Sequence, residues 1–494
     1  MFSVQLGRPP HSKTISVKPA RLLVPLGLLL TAVIGLLQGT WQSTTLAVLL
    51  VGGGLAVAWL LLILVRPEAA LLFYALFAVN LNSIDLPLPL GGVRVSPDIL
   101  LVSLLIGGAL LRLFTDRRTS GSLPITVPYL IFLAVPIITL LWSPVRVESL
   151  RGIFRFVGYL ALMWLIVDTI RSKAQVRRMV VAIILSTILP VLSGFYQAIT
   201  GSGQLIWAGA LLNRIYGFAG GPFTLAFYLV MVTPLILIFF LETRRADNDP
   251  AAAGDWHFNR FGLALLLMLI VSALLLTFIR GAWIAMVVSL LALGILHGGW
   301  RYRQLVASIP AAVGVVLLTF TPAMERLQQV ADPTSTLFGR VAVWRLAVDW
   351  LLASPLNFLA GVGMKAFEYY YVLLAGPTTA GLYWRRESFL IGNRPHNEVL
   401  GFLLDVGLIG TLALLAVLFI LARLALRVYH RSSDRELRFT ALAFLIGLIG
   451  LAVGAMGDNV FSQPAVAVYF WIMAGLVMAI DRHLLPSAAE ITPT

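Results

Sequence analysis

Three side chains able to hold and transform an anionic substrate, Arg214, Arg280 and His396, each fall close to the boundary of a long apolar run. Arginine presents a planar, permanently charged fork that matches phosphate oxygens two at a time. Histidine is the side chain that most often takes a proton from a hydroxyl near neutral pH. Arg214 lies in NRIYGFAGGP, where Gly217, Gly220 and Gly221 would let backbone approach a ligand and Pro222 suits a first helical turn. Arg280 lies in TFIRGAW, between two apolar runs with almost no loop, which keeps its guanidinium near the headgroup level. Either arginine alone would as readily snorkel to lipid phosphates, and a lone histidine at a membrane edge is more often a satisfied interface residue. Their clustering on one side favours a site that grips phosphate and deprotonates an acceptor.

His396 opens the segment HNEVLGFLLDVGLIG, a pattern H-N-x9-G-x-x-G. Gly407 follows His396 by eleven residues, about three turns at 3.6 residues per turn. The pattern therefore predicts His396 in the first turn of a helix, with Gly407 and Gly410 on one stripe against which a neighbouring helix packs closely. Upstream, in GRVAVWRLAVDWLLASPLNFLAGVG, Val341, Trp344, Val348 and Leu351 follow helical spacing with Arg340, Arg345 and Asp349 on other faces. That describes an amphipathic helix on the membrane surface or against the bundle, turned back by Pro355 and Gly361. Tyr369, Tyr370, Tyr371, Tyr383, Trp384 and Phe389 add aromatic surface suited to sugars or to the lipid interface, the second role being favoured for most. A D-x-D at Asp247 to Asp249, a spacing that elsewhere holds a divalent metal, sits beside Pro250 and a run of alanines and reads as a solvated loop.

The elements that must carry these residues are membrane helices. Of 494 residues, 59% are hydrophobic and 12% charged, and the mean hydropathy is +0.93. Soluble domains carry about 25% charge, so a soluble globular enzyme is excluded. Runs long enough to cross the bilayer predict an all-α polytopic fold of roughly 12–14 transmembrane helices with one large outer helical loop. The expected division is residues 1–200, N-terminal helices; 201–321, central helices with arginine-bearing outer loops; 322–397, the large outer loop; and 398–494, C-terminal helices and tail. RLFTDRR, RSKAQVRR, TRR, RYR and the five arginines from Arg423 to Arg438 fall on one side of the alternation. The positive-inside rule then puts both termini in the cytosol and the three candidate residues outside. The net charge of +14 is thus a topology signal, and no nucleic-acid partner is implied.

The basic N-terminus reads as an uncleaved anchor, since no small-x-small site follows its apolar stretch. The chain has no cysteine, which excludes disulfides and thiolate chemistry. Asp168 and Asp405 are among very few charges within the apolar runs, so the charge relay of an ion-coupled transporter is missing. Gly447, Gly450 and Gly454 read as close helix packing more than as a ligand site.

These residues resemble the O-antigen ligase and polymerase family of bacterial membrane glycosyltransferases. The likeness rests on H-N-x9-G-x-x-G at His396, T-x-x-R-G-A-W at Arg280, R-x-x-G-x-x-x-x-P at Arg214, and R-x-x-x-W followed by S-P-x-x-x-x-x-G-x-G from Arg340 to Gly363. It implies a GT-C-like fold in the bacterial inner membrane. It also implies a cofactor-free, metal-independent, inverting transfer of a glycan from undecaprenyl diphosphate to an acceptor hydroxyl on the outer side. On that resemblance Arg214 and Arg280 hold the diphosphate, His396 is the base, and Arg340 and Asn397 orient substrate. Ligase and polymerase differ only in the acceptor, lipid A core or another lipid-linked repeat, and the sequence leaves both open. A solute carrier of bicarbonate type is the remaining alternative.

Overall fold

The computed structural model describes residues 54, 57–81, 86–87, 94–95, 97–115, 122–207, 211–248, 259–319, 336–367, 369–370 and 395–486. The first apolar stretch at 22–39, Asp249, and the aromatic residues Tyr371, Tyr383, Trp384 and Phe389 lie outside them. The described fold is helical: α1 (Pro67–Leu81), α2 (Pro97–Thr115), α3 (Thr126–Thr139), α4 (Arg146–Thr169), α5 (Lys173–Leu185), α6 (Ile188–Thr200), α7 (Pro222–Asn248), α8 (Arg260–Leu276), α9 (Arg280–His297), α10 (Trp300–Thr319), α11 (Thr336–Leu352), α12 (Pro355–Ala360), α13 (Glu398–Arg431), α14 (Arg435–Ala455) and α15 (Pro464–His483). Two small antiparallel hairpins join them, β1 (Leu86–Pro87) with β2 (Arg94–Val95) and β3 (Gln204–Trp207) with β4 (Leu211–Arg214). Among the described residues, seven helices are long and apolar enough to cross a membrane, α5 and α6 counting as one, and four shorter apolar helices accompany them. The protein is a polytopic, all-α membrane protein.

A helix that is apolar on every face belongs inside a bundle. α7, α14 and α15 are of this kind, packed on one another at the centre, while α3 and α8 turn Val127, Leu130, Phe261 and Met268 outward. Lipid is as apolar as leucine, so helix contact depends on close fit. A Cβ added at Gly447, Gly450 or Gly454 of α14 would stand 2.7 Å from the Met231 sulfur, 2.2 Å from the Ser289 hydroxyl and 2.3 Å from the Phe227 ring. These glycines are the seat for α7 and α9, as the sequence suggests. Buried hydroxyls bond across helices: Tyr228 with Ser186 at 2.7 Å, Tyr469 to the Ala75 carbonyl at 2.7 Å and Tyr129 to the Phe156 carbonyl at 2.8 Å.

The helices alternate between two ends. Arg112, Arg171, Arg178, Arg301, Arg427 and Arg438 share one, and Arg146, Arg214, Arg280, Arg340 and His396 share the other. α11 is the helix expected in the outer loop, but its inner face is Val343, Ala347 and Leu351, clustered with Phe367, Leu400 and Leu404. Val348, assigned to the apolar stripe from spacing, is exposed. Contact with α13 and with the chain after α12 sets the face, and spacing alone does not report it.

The glycine stripe is also corrected. α13 is interrupted at Gly407, whose φ of +62° and ψ of −170° are non-helical. What approaches there is the end of α12 and the residue that follows it: a Cβ on Gly407 would lie 2.4 Å from the carbonyl of Leu359, and one on Gly361 would lie 2.6 Å from the nitrogen of Gly407. The interruption frees carbonyls, and the incoming chain uses them. Val362 N–H donates to Leu404 O at 2.8 Å and Gly363 N–H to Asp405 O at 3.2 Å, while the Asp405 carboxylate accepts from Lys365 N–H at 2.9 Å. Backbone groups left unpaired in hydrocarbon would cost several kcal/mol each, so break and loop are one unit.

Gly407→Ala meets both a forbidden φ and a clash, and should destabilise by at least the ~1–3 kcal/mol usual for such strain. Gly314 has open space around it, so Gly314→Ala should be neutral or slightly stabilising. Melting temperatures in detergent compare the two.

Candidate functional site

His396 stands just outside α13. Asn397 takes the N-cap, its side-chain oxygen accepting from Leu400 N–H at 3.0 Å. A short side-chain oxygen can satisfy an orphan amide of the first turn. That displaces His396 by one position from the helical turn predicted for it, into a left-handed conformation with φ of +48°, which costs about 1–3 kcal/mol. The surroundings hold it there. Trp344 Nε1 of α11 donates to the carbonyl of Pro395 at 2.5 Å, pinning the backbone one residue earlier. The imidazole Nδ1 lies 3.2 Å from Asp458 Oδ1, and the side chain is 19% exposed.

Asp458 belongs to the turn GDNVFSQ between α14 and α15, and this turn organises the site. Its Oδ1 also accepts from Asn459 N–H at 2.9 Å, and its Oδ2 lies 4.0 Å from Arg340 Nη2. Arg340 Nη1 donates to Gly457 O at 2.5 Å. Glu398, buried in the first turn of α13, clamps the other half of the turn, accepting from Phe461 N–H at 2.8 Å and from the Ser462 hydroxyl at 2.9 Å. Sequence reasoning missed Asp458 and Glu398 because it weighed outer basic groups only. An acidic residue in a short turn on the same side as His396 was the available signal.

Arg214 ends β4 and is buried, with 6% of its surface exposed. Its Nε donates to Thr277 O at 3.0 Å, and its guanidinium carbon sits 5.0 Å from the centroid of the Phe223 ring. The His396 ring faces the same phenylalanine at 6.2 Å. Thr277 and Phe278 form the turn before α9, with Phe278 at φ of +54°, and Arg280 is the first residue of that helix. Ile215 N–H bonds to Leu276 O at 3.2 Å, so the segment after β4 is sewn to the turn that carries Arg280. Pro222 opens α7 as expected. Gly217 serves differently from its sequence reading: at φ of +55°, it lets backbone approach the Pro190 carbonyl, 2.1 Å from where a Cβ would be, so its freedom goes to packing. Gln197 fixes the same loop, accepting from Tyr216 N–H at 2.9 Å and Gly217 N–H at 2.8 Å.

The structure thus gathers Arg214, Arg340 and His396 around Phe223 and Asp458, with Arg280 on the adjoining turn. Asn397 is occupied as a helix cap and Arg340 as a brace for the α14–α15 turn. Among the described residues, no three His, Asp or Glu side chains come together as metal ligands. The arrangement can hold an anion between arginines and present an imidazole oriented by a carboxylate.

Residues 263–415 match the model of the family described as O-antigen ligase. The match holds Arg280, Arg340, His396, Gly407 and Gly410, while Arg214 and Asp458 lie beyond it. The exopolysaccharide production protein ExoQ of Rhizobium meliloti (strain 1021) is 23% identical over 291 residues, 57% of this chain and 61% of that relative. The central part of the chain is therefore similar to the O-antigen ligase family. In this chain the first glycine of the H-N-x9-G-x-x-G pattern marks the interrupted α13, and its histidine marks the residue before the cap.

A carboxylate only accepts, so the contact with Asp458 favours the tautomer with the proton on Nδ1 whenever the ring is neutral. Asp458→Asn should remove that preference. ¹⁵N spectra of labelled histidine, recorded at a pH high enough to deprotonate the ring and with His396→Gln used to assign the resonance, should show the Nδ1–H tautomer predominating in the unaltered protein and a mixture in the variant.

Proposed function

We propose that this protein is a membrane glycosyltransferase that moves a glycan from undecaprenyl diphosphate to an acceptor hydroxyl on the outer side of the bacterial inner membrane. The observation that carries this reading is the His396–Asp458 pair set beside Arg214 across Phe223. In the proposed step the acceptor oxygen attacks the anomeric carbon and gives its proton to His396 Nε2. The bond from that carbon to the diphosphate oxygen breaks, and undecaprenyl diphosphate leaves as the anion. Arg214 and Arg280 hold the diphosphate and offset its growing charge, which is the work a divalent cation does in many nucleotide-sugar enzymes. Asp458 orients the imidazole and stabilises it once protonated. Arg340 and Asn397 act as positioning residues, and no cofactor is required.

Lipid A core is the acceptor in the ligase form of this reading. The name of the relative speaks of exopolysaccharide production, which favours the polymerase form, with a second lipid-linked glycan as acceptor. Incubating the purified protein with lipid-linked glycan and each acceptor class separates the two.

His396→Ala should leave donor binding intact while transfer falls by about 10²–10⁴, the usual worth of a general base. Arg280→Ala should weaken donor binding and turnover together, with lysine restoring only part, because a point charge cannot reproduce a bidentate fork. Donor affinity measured beside transfer rate distinguishes these patterns, and transfer by His396→Ala at the unaltered rate would refute the assignment. Transfer should also survive EDTA. Loss with chelator and recovery with Mg²⁺ would refute the arginine role.

Orientation is tested by single cysteines in this cysteine-free chain. Exposed positions Ser172 and Ser433 stand at the arginine-rich end, and Ser202 and Ala353 at the His396 end. Labels should reach the first pair only from the cytosol and the second pair only from outside. The reverse pattern would place the site in the cytosol.

A further inference from the structure

At the end of the bundle opposite His396, a cavity of about 590 Å³ opens between the start of α1, the end of α2, and the α4–α5 turn. Four arginines line it, Arg66, Arg112, Arg171 and Arg178, against two carboxylates, Glu68 and Asp168. Both carboxylates are engaged. Asp168, 1% exposed at its side chain, takes Arg112 at 2.7 Å and Arg171 at 3.5 Å, and Glu68 takes Arg178 and, at 3.1 Å, Gln175. The lining thus carries an excess of positive charge, to which the amino end of α1 adds its dipole. Two buried polar atoms of the lining, Arg112 Nε and Thr169 Oγ1, have no hydrogen-bond partner among the described residues. A buried donor left so costs free energy that a ligand oxygen would recover.

We propose that this cavity binds a phosphate group, and that the group is the headgroup phosphate of an anionic phospholipid. Arginine forks recognise phosphate oxygens with both charge and geometry, and basic pockets between membrane helices suit acidic headgroups. The apolar surroundings select a lipid over a free ion. Leu110, Leu111 and Leu113 flank Arg112 on α2 and are exposed, as is Phe73 on α1 beyond the lining residue Leu72. A phosphate seated among the arginines would lead its acyl chains along these side chains. The site is separate from the proposed chemistry and stands whether or not His396 is a base.

The test uses the full-length protein, stripped of lipid in detergent, with native mass spectrometry and titration of phosphatidylglycerol, phosphatidylcholine and inorganic phosphate. One phosphatidylglycerol should bind in preference to phosphatidylcholine. The double variant Arg66→Gln with Arg178→Gln, both exposed at the mouth, should bind it about tenfold more weakly. Arg303→Gln with Arg423→Gln, an equal charge loss at exposed positions outside the cavity, should bind it as the unaltered protein does. Equal affinity in both double variants would overturn the site. Inorganic phosphate binding with the same arginine dependence, while phosphatidylglycerol fails to bind, would overturn the lipid and leave phosphate itself as the ligand.

Discussion

Inside a bilayer, a backbone amide or carbonyl that leaves a helix has no water to turn to, and the interruption of α13 at Gly407 is built around that constraint. The carbonyls of Leu404 and Asp405 are released by the break and taken by Val362 and Gly363. This pairing holds the stretch after α12 against α13, and α12 in turn follows α11. The placement of Trp344 and Arg340 on α11 is therefore a consequence of hydrogen-bond satisfaction some turns away. Trp344 then pins Pro395, and Arg340 braces the turn that carries Asp458. His396 inherits its position from both.

Much of the cost of such a site lies in conformations that the chain would not adopt alone. His396 and Phe278 both have positive φ; the first is the proposed base and the second lies two residues before Arg280. Each is held by contacts from distant parts of the chain: His396 through Trp344 and Asp458, Phe278 through the bond from Arg214 to its neighbour Thr277. Removing a brace would relax the strained backbone without touching the imidazole or guanidinium itself. Positioning is thus distributed over α9, α11, α13 and the α14–α15 turn.

The class of fold was legible because apolar runs of membrane-span length rarely occur outside a bilayer, and the segregation of basic residues was legible because it is written in loop composition. Pro222 and the α14 glycines followed from local rules that depend on neighbours in sequence. What was not legible depended on partners far along the chain. Val348 fits a helical stripe yet faces outward because α13 lies on the other side of α11. Gly407 fits a stripe on a continuous helix yet breaks its own helix to receive the end of α12, because nothing in its own segment reveals α12 and the stretch after it. His396 was legible as a candidate base, but Asp458, 62 residues away, could be joined to it only by the fold.

The two ends of the bundle use arginine under different constraints. At the His396 end, Arg214 is buried, bonded to a carbonyl and covered by Phe223, so its direction is fixed before any anion arrives. At the opposite end, Arg171 and Arg178 are about half exposed and paired with carboxylates, an arrangement that exposed ion pairs hold only weakly. A transferring site gains from rigid donors, because reorganisation during the reaction is then unnecessary. A site that only anchors a headgroup gains from side chains that can close on it. The contrast between buried Arg214 and the half-exposed pair Arg171 and Arg178 thus fits the proposal of chemistry at one end and attachment at the other.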